Sequence, residues 1–292
     1  MKKDFDTLYK NVPSDQREHF KKFRSTHPYK TVYINDITWE YISCGHGTPL
    51  VLLPGGGFRL GETWYPLITA LEKNYRIISP TYPAVPTMAQ RVEGVFTILQ
   101  SEKIDKIHIL GWSLGGWIAQ CFARKHLDTV KSLILSNTSG PQGMSKKHLR
   151  IAPYLISAYP RKVLQVGIKK VLLSLFSIPD SEREFWEAFS RDISFKTKKE
   201  DTISERKCML DFLDNYTFTQ HDLGSWPGKI LILESDNDSV FGKSAKTDLK
   251  ALYPAAQVHT FYHAGHAPMY GTPTEFISVV ETFLSEYPSN GV

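Results

Sequence analysis

Cysteine is scarce in this chain, with only Cys44, Cys121 and Cys208. An odd, sparse set gives no disulfide framework and suits a reducing compartment. Long apolar runs are also missing. None approaches the roughly eighteen residues that crossing a bilayer needs, so no membrane span is expected. The first residues, Met1-Lys2-Lys3-Asp4-Phe5-Asp6, have no apolar segment behind them. No secretory signal is read there, and a cytoplasmic location is the expectation. Nor is there a large excess of one charge. The formal net charge is +5, with Lys and Arg interleaved among Asp and Glu, which leaves no footprint for nucleic acid. Internal repeats and low-complexity tracts are absent, and nothing calls for a cofactor or a metal. What is present is 292 residues, 41% hydrophobic and 22% charged, enough for one large folded domain carrying an insertion.

The hydrophobic pattern divides the chain. Residues 1–30 are charged, with Phe20 and Phe23 spaced like one face of a short helix. Thr31–Ile34 and Ile37–Ile42 flank Asn35-Asp36 as a hairpin. Buried strands follow at 49–53, 75–79, 106–110, 130–135, 229–233 and 257–262, with helical stripes between most of them. The last stripe opens with Thr272-Pro273-Thr274-Glu275, which has the form of a capping box with proline at the first helical position. This alternation predicts an α/β fold, a mostly parallel sheet with helices on both faces. The alternation breaks once, between Ser139 and Gly228. There Leu149, Ile151, Leu155, Val163, Val166, Ile168, Val171, Leu172 and Leu175 recur at helical spacing among aromatic residues. That stretch, 139–228, is read as a helical cap inserted into a core of 31–138 and 229–292, with 1–30 as an N-terminal helical extension.

The strongest local signal is Gly111-Trp112-Ser113-Leu114-Gly115-Gly116, placed between an apolar run and a helical stripe. Strand, tight turn and helix with serine at the tip is the form of a nucleophile elbow. Alone the pattern is common. A serine hydroxyl also needs a base within hydrogen-bond reach and a third group to orient that base. After the 229–233 strand come Glu234, Asp236 and Asp238, and after the 257–262 strand come His263 and His266. Asp238 is favoured as the acid because it lies clear of the strand end. Asp236 is the main alternative and suits a turn-stabilising role, and Glu234 ranks third. His266 is favoured over His263 because Gly265 permits a tight loop before it. His27, His126 and His221 have no comparable context. The Leu114 amide and an amide of the Pro54-Gly55-Gly56-Gly57 loop would hold a developing oxyanion, with Gly56 preferred and Gly57 the alternate. The same glycines do not read as a phosphate cradle, since no Gly-Lys-Ser/Thr or G-x-G-x-x-G helix start follows. Trp112, Phe58 and Phe241 are candidate pocket residues.

Leu53-Pro54-Gly55-Gly56-Gly57, the elbow, Asp236-Asn237-Asp238 and Ala264-Gly265-His266-Ala267-Pro268 together resemble the α/β-hydrolase superfamily over roughly residues 31–286. Tyr82-Pro83, Ser113-Leu114-Gly115-Gly116, Ser132–Asn137 and Leu252-Tyr253-Pro254 are similar to its maspardin branch. The superfamily resemblance implies a serine hydrolase, and the aromatic residues of the cap suggest a small, partly apolar ester or related acyl substrate. The branch resemblance implies a non-catalytic adaptor without a complete triad, whereas this chain keeps a candidate serine, acid and histidine in order. A carbon–carbon bond hydrolase or lactonase would use the same three residues. A haloalkane dehalogenase would need a carboxylate at position 113.

Overall fold

The computed structural model describes residues 4–142, 146–160 and 175–287. Eight strands form one sheet: β1 Lys30–Ile34, β2 Ile37–Cys44, β3 Thr48–Leu53, β4 Tyr75–Thr81, β5 Ile107–Trp112, β6 Val130–Ser136, β7 Lys229–Ser235 and β8 Gln257–Phe261. Their spatial order is β1-β2-β4-β3-β5-β6-β7-β8. β1 and β2 pair antiparallel around Asn35 and Asp36, both at positive φ as a tight hairpin turn requires. β2 runs antiparallel to β4, and the pairs from β4 through β8 are parallel.

The strand sequences explain the two covered faces. Successive side chains alternate across a sheet. In β3, Leu50 and Leu52 therefore enter one core cluster, and Val51 and Leu53 enter the other. The first face is covered by the helices Ser14–Thr26, Tyr65–Leu71 and Pro273–Ser285. The second is covered by Met88–Ser101, Leu114–Lys125 and Lys243–Leu252. No described helix is long and apolar enough to cross a membrane.

Between β6 and β7 lie the helices Lys147–Ala158, Arg183–Lys196 and Lys199–Asn215, and no strand of the sheet comes from the described residues there. Val163, Val166, Ile168, Val171 and Leu172 lie outside the described residues. The N-terminal helix packs against this region. Its Phe20 ring meets Phe185 and Phe189 edge-on at 5.2 and 5.6 Å. Beside them Arg24 donates from Nε and Nη2 to both Glu62 oxygens at 2.8 Å, and from Nη2 to Asp192 Oδ2 at 2.5 Å. Lys196 Nζ joins Glu62 Oε1 at 2.8 Å. A carboxylate as buried as Glu62, 2% exposed, is tolerable only with such partners.

The start of the last helix differs from the sequence expectation. Thr272 is its N-cap and Pro273 opens it, but no side-chain capping bond forms. Thr272 Oγ1 instead donates to the Pro268 carbonyl at 3.2 Å, and Glu275 accepts from His259 Nε2 at 2.9 Å. The short helix Pro268–Gly271 immediately before supplies the competing carbonyl.

His108, in β5, is buried with Nδ1 2.7 Å from Ser132 Oγ. Burial, with Lys131 adding to it, pushes its imidazolium down to about 4 from an ordinary 6.5. The unfolded chain therefore binds a proton that the folded chain refuses between those values. The stability gained from the neutral ring is full above about pH 6.5 and is lost as pH falls toward 4, on the order of 3 kcal/mol across the window. Urea midpoints at pH 7 and pH 4.5 should separate widely for the wild type and less for His108→Gln.

Candidate active site

The carboxyl ends of the parallel strands converge on one cavity. β3 and β5 are neighbours, yet the chain leaves them toward opposite sides of the sheet, β3 to β4 and β5 to β6. Such a divergence opens a crevice at the strand ends, the place where ligands bind in open α/β sheets. The loop after β3 supplies Gly56 and Gly57, and the turn after β5 supplies Ser113. The loop after β7 supplies Asp238, and the loop after β8 supplies His266.

Ser113 has φ 54° and ψ −119°, a conformation that side-chain-bearing residues rarely adopt. Holding it there costs about 1–3 kcal/mol. Its surroundings keep the turn in place. Ser113 N donates to Ser136 O at 2.9 Å, and Thr138 Oγ1 donates to Ser113 O at 2.8 Å. The glycines of the hexapeptide have steric reasons. A Cβ at 111 would lie 2.2 Å from the Gly115 carbonyl oxygen, and one at 115 would lie 2.1 Å from the Leu53 carbonyl oxygen. The helix Leu114–Lys125 thus starts hard against the end of β3, directly behind the serine.

His266 and Asp238 are in contact. His266 Nδ1 lies 3.0 Å from Asp238 Oδ1 and 3.1 Å from Oδ2. Asp238 is also held by the Val240 and Phe241 amides, which donate to Oδ1 at 2.8 and 3.1 Å, and by Asn137 Nδ2, which donates to Oδ2 at 3.0 Å. Burial opposes ionisation of this carboxyl, but hydrogen bonding and charge from His266, then Asn137 and Val240, outweigh it and hold its pKa below the usual carboxylate range. Asp236 has a different post: its Oδ1 accepts from the His263 amide at 2.7 Å. Next to it, Asn237 Oδ1 accepts from the Gly265 amide at 2.8 Å. Both bonds clamp the histidine loop, where His263 and Gly265 have positive φ. Trp112 Nε1 donates to the His266 carbonyl at 2.8 Å and completes the clamp.

Ser113 and His266 line a cavity of about 310 Å³ together with Gly56, Gly57, Trp112 and Glu205. Phe58 and Phe241 are not among its lining residues. Gly57, at φ 77°, closes a turn in which the Phe58 amide donates to Gly55 O. The Phe58 ring then enters the core against Trp112 and Phe176, at 5.9 and 5.2 Å. Phe241 stands behind His266 with its ring 5.6 Å away. Leu175, Met209 and Val240 supply apolar wall instead.

Two residues of the site went unrecognised in the sequence. Asn137 was visible only as a polar residue at a strand end, a common position for site residues. Glu205 carried no signal at all. It comes from the helix Lys199–Asn215 and accepts from the Gly57 amide on Oε2 at 2.8 Å. Its Oε1 would lie 3.2 Å from a Cβ on Gly56, and Arg206 Nη2 is 3.8 Å away.

Known proteins with this architecture are numerous. The chain is 24% identical over 256 residues to a pimeloyl-acyl-carrier-protein methyl ester esterase of Aeromonas hydrophila, covering 82% of this chain and 96% of that one. It is 24% identical over 278 residues to mouse (Mus musculus) maspardin, covering 91% and 86%. Among solved structures, an esterase from Exiguobacterium antarcticum superposes with a TM-score of 0.74 at 17% identity, covering 88% of this chain and 99% of that one. A meta-cleavage product hydrolase from Pseudomonas fluorescens gives 0.72 at 21%, covering 89% and 98%. The family model for the alpha/beta hydrolases matches residues 50–279, a span that holds the elbow and the loops after β7 and β8. With strand order, relatives and family model in agreement, the chain belongs to the alpha/beta hydrolase family.

Proposed function

We propose that the protein is a serine hydrolase that cleaves a carboxylic ester, or a related acyl bond, of a small and partly apolar substrate. The supporting observation is the buried contact between His266 Nδ1 and Asp238, on the same cavity as Ser113 in its strained turn. Ser113 Oγ attacks the acyl carbonyl, and His266 Nε2 takes the hydroxyl proton. The carbonyl π electrons move to oxygen, and the oxyanion is held by the Leu114 and Gly56 amides. As the tetrahedral adduct collapses, the leaving alcohol departs with the proton from His266. Water then repeats the cycle on the acyl-enzyme and releases the acid and free Ser113. Asp238 keeps the ring tautomer fixed and stabilises the imidazolium. Gly56 is preferred as donor because Glu205 already engages the Gly57 amide. The cavity, about 310 Å³, suits a small substrate.

A fluorophosphonate probe tests this reading. Folded wild type should be labelled at Ser113, and Ser113→Ala should not be. If wild type stays unlabelled while a control hydrolase labels, the catalytic assignment fails and the adaptor reading implied by the maspardin resemblance takes its place. A p-nitrophenyl ester series of rising chain length then sets the acyl preference.

Glu205 adds a further expectation. Its carboxylate sits beside the place where the oxyanion forms, and two like charges there repel. Glu205→Gln is therefore expected to raise kcat/KM for neutral esters about tenfold, the change that 1.4 kcal/mol makes in a rate. An unchanged kcat/KM would show that the charge is not felt at the oxyanion, and a lower one that the carboxylate helps hold the substrate.

A further inference from the structure

Three side chains from distant parts of the chain meet where the N-terminal helix joins the sheet, away from the cavity. His27 is the residue that ends the helix Ser14–Thr26, Cys44 ends β2, and Glu72 ends the helix Tyr65–Leu71. One imidazole nitrogen, the cysteine sulfur and one carboxylate oxygen all lie within 4.8 Å of one another. No sequence spacing announces this, because the ligand types arrive from three separate segments.

The histidine is already oriented. Its Nδ1 lies 2.9 Å from the Phe23 carbonyl oxygen, and its ring stacks on Phe23 at 4.3 Å. Thr26 Oγ1 lies 2.9 Å from the same nitrogen. That leaves Nε2 pointing at Glu72 Oε2, 2.6 Å away. A ring nitrogen this close to a carboxylate holds a proton between them, and a metal ion can take that proton's place. Metal-bound histidines characteristically donate their other ring nitrogen to a backbone carbonyl or carboxylate, and the Phe23 carbonyl is placed to accept from His27 Nδ1.

Cys44 completes the cluster. Its sulfur lies within 4.8 Å of both the histidine nitrogen and the carboxylate oxygen, as a third possible ligand. A bound divalent ion displaces a thiol proton and takes the thiolate as ligand. Cys44 is partly exposed and the Glu72 side chain is 29% exposed, so an ion and a water can reach the cluster.

We propose that His27 Nε2, Cys44 Sγ and a Glu72 carboxylate oxygen bind one Zn²⁺ ion, with water as the fourth ligand. Nitrogen, thiolate and carboxylate form a donor set that zinc accepts in tetrahedral geometry. Metal–ligand distances of about 2.0–2.3 Å place neighbouring donors roughly 3.3 Å or more apart. His27 and Glu72 therefore separate by under ~1 Å when the ion enters. Binding forms the Zn–S bond and releases the thiol proton, together with the Nε2 proton wherever the ring was protonated. The ion would tie residue 27 to the ends of β2 and the Tyr65–Leu71 helix, clipping the N-terminal helix to the sheet.

The test uses tag-free full-length protein stripped with a chelator. Titration with Co²⁺ should reach one equivalent and develop a thiolate-to-cobalt charge-transfer band in the near ultraviolet. Zn²⁺ should abolish the band and raise the unfolding temperature. Cys44→Ser should lose the band, and His27→Gln should weaken binding at least about tenfold. Cys121→Ser, altering a buried thiol elsewhere, should keep both band and affinity. Absence of the band in wild type, or its persistence in Cys44→Ser, would overturn the proposal and leave an ordinary His27–Glu72 ion pair. None of these readouts depends on ester hydrolysis.

Discussion

Asp238→Asn is expected to lower kcat for an activated ester by about a thousand- to ten-thousandfold, with little change in unfolding temperature. Asparagine fills the same volume, and its oxygen can still accept from the Val240 and Phe241 amides. It cannot do both jobs at once, since Asn137 Nδ2 already donates to the second oxygen. The amide nitrogen would turn a donor toward either Asn137 or His266. Facing His266, it favours the tautomer with the proton on Nε2, which cannot take the serine's proton. Asp236→Asn makes the informative comparison. Asp236 uses one oxygen to accept from the His263 amide, and an asparagine oxygen does that equally well. Its kcat should stay within about threefold of wild type, a shift below 1 kcal/mol. Steady-state kinetics of both variants, with circular dichroism to confirm folding, decides the matter. Equal losses would unseat Asp238 as the orienting acid.

The second large effect is on folding. Gly115→Ala is expected to destabilise the protein by at least about 3 kcal/mol, because the added methyl carbon would fall 2.1 Å from the Leu53 carbonyl oxygen and 2.7 Å from that of Pro54. Both contacts are backbone, so no side chain can swing aside. Relief requires the helix start to lift off β3, which would also displace Ser113 and the Leu114 amide. Gly140→Ala serves as the control. Its nearest neighbour would be Leu252 Cδ2 at 3.6 Å, an ordinary contact, and its stability should stay within about 0.5 kcal/mol of wild type. Urea denaturation measures both. A Gly115→Ala midpoint equal to wild type would mean that helix and strand can separate there freely.

The parts of the site that sequence reveals are those carried by strand ends. Ser113, Asp238 and His266 each follow an apolar run, and in a parallel sheet every such run delivers its next loop to the same rim. Order and spacing were therefore enough to nominate them, and the structure brings Asp238 and His266 into contact. Side-chain direction was harder to read. Phe58 and Phe241 lie in the nominated loops, but the turn at Gly57 and the amide bonds to Asp238 aim both rings into the core. Glu205 reaches the glycine loop from a helix 148 residues away in sequence, so no local pattern could announce it. The expected capping box at Thr272 failed for a similar reason: a neighbouring helix supplied a carbonyl that local pattern does not reveal.

Arg24 ties the N-terminal helix to two segments far from it in the chain. It is bonded at once to Glu62, just past the glycine loop, and to Asp192 of the Arg183–Lys196 helix. Opening either contact exposes the same charge, so the three segments should unfold locally as one cooperative unit. In native-state hydrogen exchange, amides of the Ser14–Thr26 and Arg183–Lys196 helices should share one opening free energy. Arg24→Met should lower that energy for both together, although about 170 residues separate them in the chain.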